Sequence, residues 1–119
     1  VLWATAGVSV AHGEHPQWVG IEDVRDLLRR IDPVVVDLRT SGEFDQGHWP
    51  GAVNVPIEAL RRDPSLLDAY RDKPVLLYCR TVNKTGWAIR ILEGRGFKAV
   101  YALRGGYEAV KRRHADLAE

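Results

Sequence analysis

The sequence predicts an α/β fold, a parallel five-stranded sheet flanked by helices on both faces. Three observations predict it. Short apolar runs recur, Val34-Val35-Val36 and Val75-Leu76-Leu77-Tyr78 foremost, with the length and β-branched content of strands. The first of these is continuous rather than alternating, as a strand covered on both faces requires. Between the runs lie stretches whose apolar residues recur at helical spacing, and strand-helix alternation builds a parallel sheet through right-handed crossovers.

Trp18 and Val19 are expected to form a short first strand. Ile21 to Arg30 reads as a helix, with Ile21, Val24, Leu27, Leu28 and Ile31 on one face. Glu22 and Asp23 in its first turn and Arg29-Arg30 in its last complement the helix dipole, and Pro33 stops it. Val34 to Arg39 is the second strand, with Asp37 and Arg39 at its far end. A carboxylate there could serve as a general base, but such an Asp more often fixes loop amides or pairs with an Arg. Thr40 to Asp45 begins a short helix capped by Thr40 or Ser41. Gly47 to Ala52 is turn chemistry, in which His48 reads as loop structure; Val53 to Val55 is a short strand and Ile57 to Arg62 a helical turn or two. Asp63-Pro64-Ser65 breaks that helix and starts another turn through Leu67, Ala69 and Tyr70. After the central strand, a helix from about Thr85 carries Trp87, Ile91 and Leu92 on its apolar face and ends near Gly94 or Gly96. Ala99 to Leu103 is another strand. Gly105-Gly106 turns into a last helix, Tyr107 to about His114, whose Lys111-Arg112-Arg113 cluster suits a solvated helix end.

Composition narrows the function. A chain of 119 residues makes one domain with a real core. A net charge of +1 gives no global attraction to nucleic acid or anionic membrane, so no nucleic-acid partner is expected. A single cysteine excludes an internal disulfide, an all-cysteine zinc site and a CxxC redox pair. Residues 1–16 read as an N-terminal extension and 17–119 as the domain. Val1 to Ala11 is apolar, uncharged and too short to span a bilayer, and Ser9-Val10-Ala11 places small residues where signal cleavage needs them. This leans toward an exported or membrane-associated parent, with the cytoplasm as the alternative. His12 and His15 beside Glu14 lack a further ligand and read as polar linker; no metal site is expected. Nothing in the sequence sets an oligomeric state.

The chemistry concentrates in Val75 to Gly86. An apolar strand ends in Cys79, followed by Arg80, Thr81, Val82, Asn83, Lys84 and Thr85, and then by a helix. A strand feeding a helix through a tight loop aims loop amides and the positive helix end at one spot. A thiol placed there ionises more readily, and the thiolate is the nucleophile. The plain alternative is a small buried hydrophobe, the usual fate of a lone cysteine after a strand.

Three motifs together resemble the rhodanese (sulfurtransferase) family over about Trp18 to Arg113. Asp37-Leu38-Arg39-Thr40-Ser41-Gly42-Glu43-Phe44, then Gly47-His48-Trp49-Pro50-Gly51-Ala52-Val53-Asn54-Val55-Pro56, is similar to its N-terminal signature. Cys79 to Thr85 is similar to its active-site loop, Cys-x-x-Gly-x-Arg-Ser. Gly96-Phe97 through Val100 to Tyr107 is similar to its C-terminal signature. The resemblance implies a Cys79 nucleophile that takes a sulfane sulfur from a small anionic donor such as thiosulfate. A persulfide on Cys79 would be cradled by residues 80–84, and the sulfur would pass to cyanide, a thiol or a protein acceptor, with no cofactor or metal. Arg80 and Lys84 would attract the donor, and Asp37 and Arg39 would support the site. The loop departs from the pattern at three places. Val82 stands for Gly and would be strained if the loop needs φ > 0 there. Lys84 stands for Arg and lacks its bidentate fork. Thr85 stands for Ser and keeps the hydroxyl.

Two other functions fit the same fold. One is a non-catalytic or sulfur-carrying interaction domain. The other is a phosphatase or arsenate reductase, whose longer loop would bracket five residues between Cys and Arg; here position 85 is Thr.

Overall fold

The computed structural model describes residues 17–113. The expectations for residues 1–16, including the signal-like stretch and His12 and His15, lie outside the described residues, as does His114.

Among the described residues the strands are β1 (Gln17–Val19), β2 (Val34–Asp37), β3 (Val53–Asn54), β4 (Pro74–Tyr78) and β5 (Ala99–Leu103). The α-helices among the described residues are α1 (Ile21–Ile31), α2 (Ser41–Asp45), α3 (Ile57–Arg62), α4 (Asn83–Glu93) and α5 (Gly106–Arg113), with a 3₁₀ segment at Pro64–Tyr70. The sheet order is β1-β5-β4-β2-β3 and every pairing is parallel, so β4 lies at the centre. The register sets Val36 beside Leu77 and Leu76 beside Tyr101.

The period of two along the strands sorts the core into two layers. Val36, Val75, Leu77, Val100 and Ala102 pack with Ile57, Leu60, Leu67, Ala88 and Leu92, the layer of α3, the 3₁₀ segment and α4. Val35, Leu76, Tyr78 and Leu103 pack with Ile21, Val24, Tyr107 and Val110, the layer of α1 and α5. Leu76 and Leu77 are wholly buried on opposite faces, and removing such a side chain to Ala costs about 2–5 kcal/mol.

Local chemistry sets the element ends. The α1 helix closes on Asp32 in the left-handed conformation (φ 46°), whose amide donates to the Leu28 carbonyl. Asp tolerates that conformation better than most residues. The α2 helix opens with a capping box: Thr40 Oγ1 accepts from the Glu43 amide while Glu43 Oε1 accepts from the Thr40 amide.

The helix after the central strand corrects the sequence reading twice. It begins at Asn83, not near Thr85. Trp87 does not face the core: it is 50% exposed, with the Arg61 guanidinium 4.7 Å and that of Arg90 6.0 Å from its ring centroid. The buried face is Thr85, Ala88, Ile89 and Leu92, an i, i+3, i+4, i+7 stripe. Two small members of that stripe signal weakly in sequence, which let the large Trp87 pull the reading toward the wrong side.

Candidate active site

Cys79 follows the C-terminal end of β4, and α4 begins four positions on, so the loop between them is short. Such a position, past the carboxyl ends of parallel strands, is where open α/β sheets bind ligands. Cys79 is 2% exposed and is itself a member of the core cluster of the α4 layer, while also lining the cavity at the loop. Its Sγ accepts a hydrogen bond from Thr85 Oγ1 at 3.2 Å. Thr85 itself is buried, beneath the sulfur rather than on the open side of the loop.

The loop is held from α5. The Tyr107 amide donates to the Cys79 carbonyl at 2.9 Å, and the Glu108 amide donates to the Arg80 carbonyl at 3.1 Å. First-turn amides of one helix thus satisfy carbonyls of the loop that leads into another. Gly106 makes this approach possible. Its φ is 63°, and a Cβ there would lie 2.6 Å from the carbonyl oxygens of both Cys79 and Arg80.

At the start of α4, Val82 occupies the cap position with φ −140° and makes no side-chain capping bond. The loop therefore closes without a left-handed residue at 82, and the β-branched side chain fits without strain. The α4 amides of the first turn have no side-chain cap and carry the positive end of the helix dipole.

A cavity of about 120 Å³ opens on this loop, with Cys79, Arg80, Thr81, Asn83 and Lys84 on one side and Arg39 and Glu43 on the other. Five of the seven loop positions named from sequence therefore share a wall. Val82 points outward, 38% exposed, and Thr85 reaches the site through the sulfur alone. A second cavity of about 230 Å³ shares Arg39, Glu43 and Arg80 with the first and continues to Tyr107, Glu108 and Lys111.

Behind Arg39 is a buried polar unit. The Asp37 carboxylate is fully buried and accepts from the Arg39 amide (2.9 Å), Arg39 Nε (3.0 Å) and Nη2 (2.7 Å), and the Tyr78 hydroxyl (2.6 Å). Arg39 Nη2 also donates to the Gly47 carbonyl at 2.8 Å, and its guanidinium lies 4.0 Å from the Tyr107 ring centroid. Burial works against the Arg39 charge, but the bonds and attraction of Asp37 prevail and raise its pKa. Burial, then the bond to Asp37, pushes the Tyr78 hydroxyl far above its ordinary range. Asp37 is thus a structural anchor for Arg39, as an Asp at a strand end usually is.

Glu43, Gly106, Tyr107 and Glu108 are not among the site residues expected from the sequence, although Glu43, Gly106 and Tyr107 lie within the quoted motifs. Burial opposes the Glu43 charge, but the Thr40 amide and hydroxyl, with Arg39 and Lys84 nearby, hold its carboxyl below the usual range. Its signal was the capping-box spacing; that of Gly106 was the Gly-Gly pair. His48 stays structural: its Nδ1 is 2.8 Å from the Phe44 carbonyl oxygen and its ring stacks on Phe44 at 3.6 Å. Among the described residues no cluster of three or more His, Cys, Asp or Glu could hold a metal ion, and no helix is long and apolar enough to cross a membrane.

A family model described as the rhodanese-like domain matches residues 21–113. The chain belongs to the rhodanese-like family. The rhodanese-like domain of a protein from Anabaena sp. superposes with a TM-score of 0.72 at 27% identity, covering 88% of this chain and 79% of that one. Among relatives, a tRNA uridine(34) hydroxylase of Buchnera aphidicola is 30% identical over 75% of this chain. A tRNA sulfurtransferase of Desulfurococcus amylolyticus is 39% identical over 63% of it. The matches span only 30% and 14% of those two proteins. The parallel sheet of this rhodanese-like domain, its helices on both faces, and the position of its loop beyond β4 agree with the architecture expected from the sequence.

Proposed function

We propose that this rhodanese-like domain is a sulfurtransferase that moves a sulfane sulfur through a persulfide on Cys79. The observation that carries the reading is the setting of one sulfur. Cys79 Sγ accepts from Thr85 and borders a small cavity with Arg39, Arg80 and Lys84 on its walls. A hydroxyl that donates to sulfur favours the thiolate, and cations around the mouth favour a small anionic donor such as thiosulfate or a persulfide.

In the first half-reaction the thiolate attacks the outer sulfur of thiosulfate. A new S–S bond forms, the donor S–S bond breaks, and its electron pair leaves on sulfite. The Cys79 persulfide is an anion, and the uncapped amides at the start of α4 are suited to stabilise it, the logic of an oxyanion hole applied to sulfur. In the second half-reaction cyanide or a thiolate attacks the outer sulfur, and the electron pair of the S–S bond returns to Cys79.

The test is intact-mass measurement after treatment with thiosulfate or glutathione persulfide. One added sulfur is expected on the wild-type protein and none on Cys79→Ser. No adduct with either donor would overturn the proposal.

A second reading follows from the relatives, which are longer proteins named for tRNA modification. A domain of this kind could act as a sulfur carrier, loading Cys79 but handing the sulfur only to a partner protein. Loading without turnover to cyanide or small thiols would favour it.

A further inference from the structure

The exposed side of α4 carries a groove that the chemistry at Cys79 does not use. It holds about 240 Å³ and is lined by Asn83, Gly86, Trp87 and Arg90, a stripe at helical spacing. Nothing lies within 4 Å of a Cβ at Gly86, so the space beside the ring is open. Trp87 is half exposed, and the guanidiniums of Arg61 of α3 and of Arg90 lie 4.7 and 6.0 Å from its ring centroid. A tryptophan left half in water beside two arginines has the make-up of a protein-binding hot spot.

The groove also has one sign of charge. Among the described residues no carboxylate lines it, and α4 has no acid in its first turn. Arg61 pairs loosely with Glu58 on its own helix, 4.0 Å away with both side chains exposed. Such a pair is weak enough to exchange for a partner's carboxylate. Asn83 lines both this groove and the Cys79 cavity, so the two adjoin. Trp87 lies one turn beyond Asn83, about 6 Å along the helix axis, a span that roughly two extended residues cover.

We propose that the Trp87 groove docks the acidic segment of a protein that accepts sulfur from Cys79 on a cysteine of its own. This rests on the sulfurtransferase reading of the Cys79 site. Carboxylates of the segment pair with Arg61 and Arg90, an apolar side chain covers Trp87, and the cysteine reaches past Asn83 into the cavity. The acceptor thiol gives its proton to solvent, and its sulfur bonds to the outer sulfur of the persulfide. The S–S bond to Cys79 breaks, its electron pair stays on Cys79 Sγ, and the acceptor departs as a persulfide. RNA matches the surface less well. Arg61 already lies over the ring on which a base would stack, and a net charge of +1 gives little pull on a polyanion.

The probes are a glutamate-rich peptide with a single cysteine, the same peptide with glutamine for glutamate, and 2-mercaptoethanol. Cys79 is loaded with thiosulfate or glutathione persulfide, and loss of the added sulfur to each probe is followed by mass. Wild type is compared with Trp87→Ala and Arg90→Glu. The glutamate-to-glutamine rate ratio is expected to fall about tenfold in Arg90→Glu. Transfer to the glutamate peptide, relative to 2-mercaptoethanol, is expected to fall about tenfold in Trp87→Ala. Arg80 and Lys84 are untouched, so general attraction to the Cys79 cavity is the same in all three proteins. Ratios that do not change between them overturn the docking site and leave the sulfurtransferase standing. Binding of the glutamate peptide with serine for cysteine, read by fluorescence anisotropy, should weaken in both variants; equal binding overturns the site as well. An oligouridylate that binds more tightly than this peptide and depends on Trp87, or a wild-type dimer that Trp87→Ala abolishes, overturns the acidic segment as the occupant. Failure of Cys79 to take sulfur from either donor overturns the sulfurtransferase reading and this proposal with it.

Discussion

The amide of Tyr107 donates to the carbonyl of Cys79 across 2.9 Å, so a helix 28 positions downstream fixes the orientation of the peptide unit beside the sulfur. Glu108 does the same for Arg80 at 3.1 Å. The two bonds require Gly106 to sit against the loop in the left-handed conformation.

Gly106→Ala is therefore expected to cost at least about 2 kcal/mol, from a disfavoured backbone and from a methyl driven into the carbonyls of Cys79, Arg80 and Thr81. Urea unfolding followed by fluorescence measures the loss. Gly86→Ala is the control, since nothing lies within 4 Å of a Cβ there. Equal stability of the two variants would contradict the close approach.

Thr85→Val keeps the shape of a fully buried side chain and removes the donor to Cys79 Sγ. The rate of iodoacetamide alkylation at neutral pH should drop about tenfold, because a hydrogen bond to a charged group contributes roughly 1.5–3 kcal/mol. Thr85→Ser should keep most of the rate. An unchanged rate in the Val variant would show that the hydroxyl does not favour the thiolate.

Tyr78 governs stability in alkali. Folded, its hydroxyl is held neutral well beyond its ordinary value of 10.0; unfolded, it ionises near that value. The native state then binds the extra proton, so stability is intact below about pH 10 and falls above it, by up to about 1.4 kcal/mol per pH unit. Tyr78→Phe should flatten this part of the curve while losing one donor to Asp37. Urea midpoints measured between about pH 8 and about pH 11 decide it; parallel curves for the two proteins would remove Tyr78 as the cause.

Arg80 and Lys84 are exposed cations on the Cys79 cavity. Arg80→Ala/Lys84→Ala should raise the KM for thiosulfate with little change in stability. The difference from wild type should shrink with added salt, since exposed charges are screened over about 10 Å at 0.1 M ionic strength. A KM that stays constant would assign donor recognition to Arg39 and the loop amides.

The architecture was legible because its signals are local. Val34 to Val36 and Val75 to Tyr78 announce buried strands by composition alone, and Asp63-Pro64 marks the end of α3 in the chain itself. Cys79, Arg80 and Lys84 stood out for the same reason, as chemistry placed directly after a strand. The rest depends on contacts between distant segments. Glu43 lines the same cavity as Cys79, and no spacing near residue 43 reports on residue 79. The bulk of Trp87 dominates a periodicity count, whereas Thr85 and Ala88 carry the buried stripe with little bulk.

The grip of α5 on the loop also has a consequence for how the chain matures during synthesis. A ribosome releases the nucleophile long before it releases the residues that clasp its peptide unit. A fragment ending ahead of Gly106 could pair β4 with β2 yet would leave the carbonyls of Cys79 and Arg80 without the amides that now hold them. Competence for sulfur chemistry should accordingly wait until α5 docks, and removing Gly106 onward should cost the loop its two clasping amides.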